Sequence, residues 1–379
     1  MKLVVDENIP QGKEAFGKFG DIVLAHGRTI SNEMLKDADV LIVRSITKVD
    51  EQLLNSTKVK FVGTATIGTD HVDKSYLEKE NIYFADAAGC NAFSVAEYVV
   101  CAINQYLEKF NKNFTELTIG VIGYGNVGSK VVRFAEALGM KVLINDPPLE
   151  RNSTEKIFCS LDETLSADVI TFHVPLNKSG IDKTVHLLNE ASINKIKSGT
   201  MLINSSRGPV IDNNTLLKRL KKKSDLFAVL DVWEGEPNFI PELLELVDIG
   251  TPHIAGYSFE GKINGTKIIH DKLCAFLKIK KDWQPNYPAI ENDTLLFNTG
   301  NNFENEFNLL TKNIYDISRD SSDLKKSLLP GIESREKYFD ELRKKYYIRR
   351  EFLNYYIKQT QKNDRVKEIL EKLRFNVLE

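Results

Sequence analysis

Leu117-Thr118-Ile119-Gly120-Val121-Ile122-Gly123-Tyr124-Gly125-Asn126-Val127-Gly128 is an apolar, β-branched run that breaks into Gly-x-Gly-x-x-Gly, and an amphipathic helical pattern follows from Ser129 to Leu138. A strand that turns through three glycines into a helix predicts a dinucleotide-binding α/β unit. Gly123 allows the tight turn, Gly125 lets the backbone approach a pyrophosphate, and Gly128 lets helix and strand pack closely. Free N–H groups at the helix start then face the phosphates. The next strand, Lys141–Asn145, ends at Asp146, eighteen residues after Gly128. An acid there accepts from the ribose hydroxyls and repels a 2′-phosphate, so NAD is expected rather than NADP.

Working outward, short apolar runs alternate with helical segments on both sides of this motif. Lys2–Val5, Asp21–Ala25, Val40–Val43, Phe61–Thr64 and Ile82–Ala85 read as strands before it. Ile119–Ile122, Lys141–Asn145, Asp168–His173, Thr200–Asn204, Phe227–Asp231 and Asp248–Gly250 continue the alternation. Such βα repetition predicts two doubly wound, parallel-sheet (Rossmann-like) domains, with binding at the carboxyl ends of the strands in the crevice between them. A long helix from Ser94 joins the two. Beyond Lys280, Trp283-Gln284-Pro285-Asn286-Tyr287-Pro288 reads as an extended linker, an Asn-rich stretch follows around Asn298–Asn308, and Leu309–Leu378 has helical periodicity.

Three strand ends carry side chains suited to chemistry. Ser205-Ser206-Arg207 follows Leu202-Ile203-Asn204, Trp233-Glu234-Gly235-Glu236-Pro237 follows Asp231-Val232, and Thr251-Pro252-His253 follows Ile249-Gly250. Arginine grips a carboxylate through paired, charge-assisted hydrogen bonds. Histidine exchanges a proton near neutral pH, and a carboxylate on its other ring nitrogen orients it. Arg207, His253 and one of Glu234 or Glu236 are thus a set that can move a proton on a hydroxyl beside a substrate carboxylate. His173 closes an apolar strand and is expected to support the cofactor pocket, and helix capping accounts for Thr69-Asp70-His71. No partner is evident for His26, His186 or His270. Asp70 and Asp73 lack the further ligands a metal needs, so no metal is expected. Ser205 and Ser206 have no nucleophile-elbow sequence around them.

Length and composition narrow the classes. A chain of 379 residues holds two or three domains, and 42% hydrophobic with 27% charged residues describes an ordinary globular protein. The formal charge of −2 gives no global reason to expect nucleic acid or an anionic membrane. Cys90, Cys101, Cys159 and Cys274 are scattered without ligand spacing and read as reduced thiols in a cytosolic protein. The N-terminus enters a strand-like run directly, without a signal-peptide pattern, and no apolar stretch would cross a bilayer. The tail holds a basic run, Arg343-Lys344-Lys345-Tyr346-Tyr347-Ile348-Arg349-Arg350, but Glu333, Glu336, Asp340, Glu341 and Glu351 interleave it. A packed helical appendage is favoured over a nucleic-acid surface.

Together these motifs resemble the D-isomer-specific 2-hydroxyacid dehydrogenases over about the first 280 residues. Val43–Val49, Gly63–Asp73, Asn145–Pro148 and His253–Lys262 narrow the likeness to a branch that acts on a phosphorylated 2-hydroxy acid and carries a C-terminal dimerisation domain. The resemblance implies that residues 1–93, completed by about 257–280, form a substrate-binding lid domain. It gives 94–256 as the NAD-binding domain and 281–379 as the dimerisation domain, hence a homodimer. It makes Arg207, Glu236 and His253 catalytic, prefers Glu236 to Glu234, and puts Ser45, Thr66 and Tyr257 on the substrate. Cofactor contacts carry over to Asn126, Val127, Asp146, Val174, Ser205, Ser206, Arg207, Asp231 and Gly256. Val174 stands where the family usually has threonine, so only its backbone can serve. Ile67 adds bulk to the substrate loop, and Arg44 with Ser45 is the candidate phosphate cradle. A dehydrogenase for another 2-hydroxy acid, such as 3-phosphoglycerate, and a non-catalytic NAD sensor are the alternatives. Since the first two domains look complete, deleting the chain after Trp283 is expected to leave a folded monomer.

Overall fold

Mostly apolar runs form eleven of the strands, at positions within a residue or two of those read from sequence. The computed structural model describes residues 1–332 and 334–378, so Glu333 of the tail lies outside the described residues. The chain folds into two compact units, Met1–Ala92 with Ser258–Ile290, and Phe93–Tyr257 with Glu291–Glu379.

In the first unit, β1 (Lys2–Asp6), β2 (Asp21–Ala25), β3 (Val40–Val43), β4 (Phe61–Thr64) and β5 (Tyr83–Asp86) form a parallel sheet in the order β2-β1-β3-β4-β5. Every residue of β3 and β4 is buried, as a parallel sheet covered on both faces requires. The helix Phe259–Phe276 packs on this sheet, with Ile269, Leu273 and Cys274 in its core. Trp283 of the expected linker packs against the same core.

In the second unit, β6 (Thr118–Ile122), β7 (Lys141–Asn145), β8 (Val169–Phe172), β9 (Met201–Asn204), β10 (Phe227–Leu230) and β11 (Ile249–Gly250) form a parallel sheet ordered β11-β10-β9-β8-β6-β7. The direction of winding reverses between β6 and β8, and such a switch point is where doubly wound sheets bind ligands. The long helix Ala92–Phe110 precedes this sheet, close to the expected start.

The tail differs from the helical appendage expected. β12 (Thr294–Phe297), β13 (Tyr356–Gln359) and β14 (Asn376–Val377) build a small parallel sheet alongside its helices. Only Ile357 of β13 is buried, so the strand leaves almost no apolar pattern to read. Nor is the nucleotide unit complete without this segment. Leu324 and Phe339 join its core, Phe339 facing Phe239 with ring centroids 5.9 Å apart. Asn104 donates to Thr311 Oγ1 at 2.8 Å. Arg349 is 1% exposed and donates to the Ala255 carbonyl at 2.6 Å and the Ser94 carbonyl at 3.0 Å, with its guanidinium 4.3 Å from the Tyr315 ring centre. Truncation after Trp283 would strip these contacts, so the expectation of an intact truncated body is revised. Arg349 and Arg350 are buried, and the basic run is not a continuous surface patch. Among the described residues, no helix is long and apolar enough to cross a membrane.

Candidate active site

The candidate side chains of the second unit follow the carboxyl ends of its strands. After β6, Gly123 has φ +94°, and a Cβ there would lie 2.6 Å from the His173 carbonyl oxygen. A Cβ on Gly128 would lie 1.8 Å from the Gly123 carbonyl oxygen, so the helix Gly128–Ala137 can start against the strand only with glycine there. A Cβ on Gly125 would meet nothing within 4 Å. Gly125 and Asn126 are exposed, Val127 is half-buried, and no side chain caps the helix. Open space above uncapped amides fits a pyrophosphate.

Asp146 follows β7 and already serves the turn. It accepts from the Tyr124 amide at 2.7 Å through one oxygen and from the Leu149 amide at 3.0 Å through the other. Carboxylate oxygens hold several lone pairs, so ribose hydroxyls can still be accepted. His173 follows β8, its Nε2 2.9 Å from Thr171 Oγ1, and burial drives its pKa down to about 3, which keeps it neutral. His173 Nδ1 and Ser205 Oγ are buried without a hydrogen-bond partner. Two orphaned polar atoms beside an open glycine turn are what a polar cofactor would satisfy. Val174 is half-buried next to His173.

Asn204, at the end of β9, was not singled out from sequence, yet it shapes the next turn. Its Oδ1 accepts from the Ser206 amide at 3.1 Å and hydroxyl at 2.9 Å, and its Nδ2 donates to the Arg207 carbonyl at 3.0 Å. Arg207 Nη1 donates to the Ser206 carbonyl at 2.8 Å. A Cβ on Gly208 would lie 2.0 Å from the Trp233 carbonyl oxygen, so the Arg207 turn presses directly on the loop that carries Glu236.

That loop separates the two rival carboxylates. Glu236 Oε1 lies 2.5 Å from His253 Nδ1, and its Oε2 accepts from the Trp233 amide at 3.0 Å. Glu234 turns the other way, 2.7 Å from His186 Nε2, and accepts from the Asn213 amide at 3.3 Å. The absence of a partner read for His186 is therefore corrected; His270 likewise lies 2.9 Å from Asp271 Oδ1, and His26 Nδ1 accepts from the Arg28 amide at 3.3 Å. Trp233 anchors the loop, 1% exposed, with its indole N–H donating to the Thr251 carbonyl at 2.9 Å. Burial alone would raise the Glu236 pKa. The His253 ring, the Trp233 amide and the charge of Arg343 outweigh it and hold the carboxyl below its ordinary value.

His253 has φ +56°, a left-handed conformation that costs a non-glycine residue about 1 kcal/mol or more. Asp231 compensates. Its carbonyl accepts the His253 amide at 2.7 Å, and its carboxylate accepts Thr251 Oγ1 and the Ile254 amide, each at 2.7 Å, and the Ala255 amide at 3.0 Å. At 1% exposure Asp231 is chiefly the clamp of the histidine turn. Burial raises its pKa, with the His253 charge and these donors opposing. Gly256 and Tyr257 follow, both half-buried, and Tyr257 Oη accepts from Arg343 Nη2 at 2.8 Å.

The first unit gathers its own set at strand ends. Arg44 Nε lies 3.2 Å from Asp6 Oδ2, which fixes one edge of the guanidinium, and Ser45 beside it is exposed. Thr66 Oγ1 lies 2.8 Å from Thr64 Oγ1, which lies 3.1 Å from His71 Nε2. Burial lowers the His71 pKa to about 4. His71 is thus tied to the threonines, and Asp73 is the cap of the helix Lys74–Lys79. Ile67 is half-buried.

Residues 97–255 match the model of the D-isomer specific 2-hydroxyacid dehydrogenase, NAD binding domain. Over its whole length the chain is 43% identical to the erythronate-4-phosphate dehydrogenase of Tolumonas auensis, covering 100% of this chain and 99% of that one. The chain belongs to the erythronate-4-phosphate dehydrogenase family. Among solved structures, this family member is similar to the D-lactate dehydrogenase of Aquifex aeolicus complexed with NAD and lactic acid. That pair has a TM-score of 0.60 and 29% identity over 73% of this chain and 96% of that one. The NAD⁺-bound 3-phosphoglycerate dehydrogenase of Entamoeba histolytica gives 0.63 and 28%, over 76% of this chain and 99% of that one. Residues 287–373 of the dehydrogenase match a domain of unknown function, DUF3410.

Proposed function

We propose that the chain oxidises the C2 hydroxyl of 4-phospho-D-erythronate to 2-oxo-3-hydroxy-4-phosphobutanoate, with reduction of NAD, in the route to pyridoxal 5′-phosphate. The observation that carries this reading is the His253 Nδ1 to Glu236 Oε1 contact of 2.5 Å in an NAD-binding domain. An ionised Glu236 can only accept, so it holds the ring proton on Nδ1 and leaves Nε2 as the acceptor. His253 Nε2 takes the hydroxyl proton, and the imidazolium so formed is stabilised by Glu236, a gain realised only as charge develops. Arg207 orients the substrate carboxylate and the C2 oxygen through its planar fork. NAD, when bound, accepts the hydride that leaves C2. The cofactor contacts are assigned to Asn126, Val127, Asp146, Val174, Ser205, Ser206, Arg207, Asp231 and Gly256. Tyr257, Ser45 and Thr66 are assigned to the substrate, with Arg44 on its phosphate.

We also place the enzyme in the cytoplasm as a homodimer assembled through residues 281–379, with 1–93 and 257–280 as the lid domain. Leu296 on β12 and Tyr356 on β13, at 64% and 42% exposure, lie on the small sheet and suit a covered face. A monomer by light scattering would contradict the assembly. The reaction is tested by NADH formation from a panel of 2-hydroxy acids. 4-Phospho-D-erythronate is expected to give the highest kcat/KM, whereas preference for 3-phosphoglycerate or D-lactate would replace the substrate, and inactivity on all would favour a sensor.

A further inference from the structure

The helix Arg335–Lys344, inside the segment that matches a domain of unknown function, brings a cation to the histidine loop. Arg343 Nη2 donates to Tyr257 Oη at 2.8 Å, and its guanidinium carbon lies 5.5 Å from the centre of the Tyr257 ring. The same guanidinium lies 5.9 Å from the Phe339 ring, while Phe339 is 0% exposed and fixes the helix in the nucleotide core. Tyr346 meets Tyr257 edge-on with centroids 6.0 Å apart. Arg343 Nε is buried without a hydrogen-bond partner.

We propose that Arg343 is a positioning residue of the active site: it orients Tyr257 toward substrate and sets a fixed positive charge at the Glu236–His253 pair. The C-terminal segment is then part of the catalytic apparatus as well as a candidate dimerisation element. The proposal rests on the reading of Tyr257 as a substrate contact and of His253 as the base. Arg343 is among the groups that hold the Glu236 carboxyl down, after burial, which opposes, and His253. Asp231 at the end of β10 faces His253, and Arg343 faces Glu236 and is itself flanked by Tyr257 in the histidine loop and Asp340 on the tail helix. Arg343 is the cation of this set whose removal eases protonation of Glu236.

Arg343→Met keeps the length of the side chain and removes charge and donor. Loss of a charge-assisted hydrogen bond to a substrate-facing group is expected to raise KM for the phosphorylated hydroxy acid roughly tenfold, with NAD affinity unchanged. The acid limb of kcat/KM should move up by roughly half a pH unit, because the Glu236 carboxyl that holds His253 protonates more readily without the Arg343 charge. Arg343→Lys should restore the acid limb while recovering only part of KM, since an ammonium lacks the planar fork. The Glu236 carboxyl titration followed by NMR reports the same upward shift without any turnover. A wild-type chain inactive on 4-phospho-D-erythronate would therefore count against the reaction alone. A Glu236 titration in Arg343→Met that coincides with wild type would overturn the proposal, as would an equal loss of NAD and substrate affinity, which marks a purely structural role.

Discussion

Replacing His253 with glutamine is expected to lower kcat by about 10²–10⁴-fold, the usual contribution of a positioned general base. Glutamine approximates the size of the ring and can still donate to Glu236, but it has no acceptor of comparable basicity for the hydroxyl proton. NAD affinity should be nearly unchanged, because the glycine turn, Asp146 and Ser205 belong to other strand ends. The turn should also survive, since Asp231 binds the backbone amides of residues 253–255 rather than the imidazole. Steady-state kinetics beside an NAD titration by fluorescence checks both halves. A variant that turns over near the wild-type rate removes His253 from the role of base, and one that no longer binds NAD shows that the substitution disturbed the fold.

Arg349→Met should have the largest effect on stability. The arginine is 1% exposed and its terminal nitrogen serves the carbonyls of both Ser94 and Ala255. Ser94 Oγ also donates to the Ala255 carbonyl at 3.0 Å, so the site joins the Ala92–Phe110 helix, the tail and the residue two past His253. Methionine fills much of the space but leaves the Ser94 carbonyl short of its donor, and the Tyr315 ring loses its cation. The expected cost is roughly 3 kcal/mol, for orphaned buried groups and a lost charge-assisted network. In a chain of this size that lowers Tm by roughly 4 °C. Lys344, exposed in the same basic run, is the control whose replacement by methionine should leave Tm within a degree or two. Equal Tm values for the two variants would show that Arg349 does not fasten the tail.

The parallel sheets were legible because their central strands are buried on both faces and therefore appear as continuous apolar runs, as in Met201–Asn204 and Phe227–Leu230. The glycine turn was legible because its three positions each answer a separate steric demand. Tyr356–Gln359 was missed for the converse reason: one buried residue in four gives no period to detect. The choice between Glu234 and Glu236 could not be made from spacing, since both flank Gly235 and only the path of the loop sends one to His186 and the other to His253. Arg343 was hidden further still. It sits in a run of basic and aromatic residues that reads only as part of a packed helical appendage, and its partner Tyr257 is 86 residues away in sequence. Asn204 carried a weak signal, a polar residue closing an apolar strand just before Ser-Ser-Arg. The hydrogen bonds it makes two and three residues on are the ordinary habit of asparagine at a turn.

The central claim is that the hydride leaves C2 of 4-phospho-D-erythronate while the hydroxyl proton goes to His253. It is tested most directly by supplying the purified chain with NAD and substrate carrying deuterium at C2, then recovering the reduced cofactor for NMR. Each NADH formed is expected to carry one deuterium on the nicotinamide ring, with 2-oxo-3-hydroxy-4-phosphobutanoate as the product. NADH formed without the label, or label retained in the organic product, would contradict it.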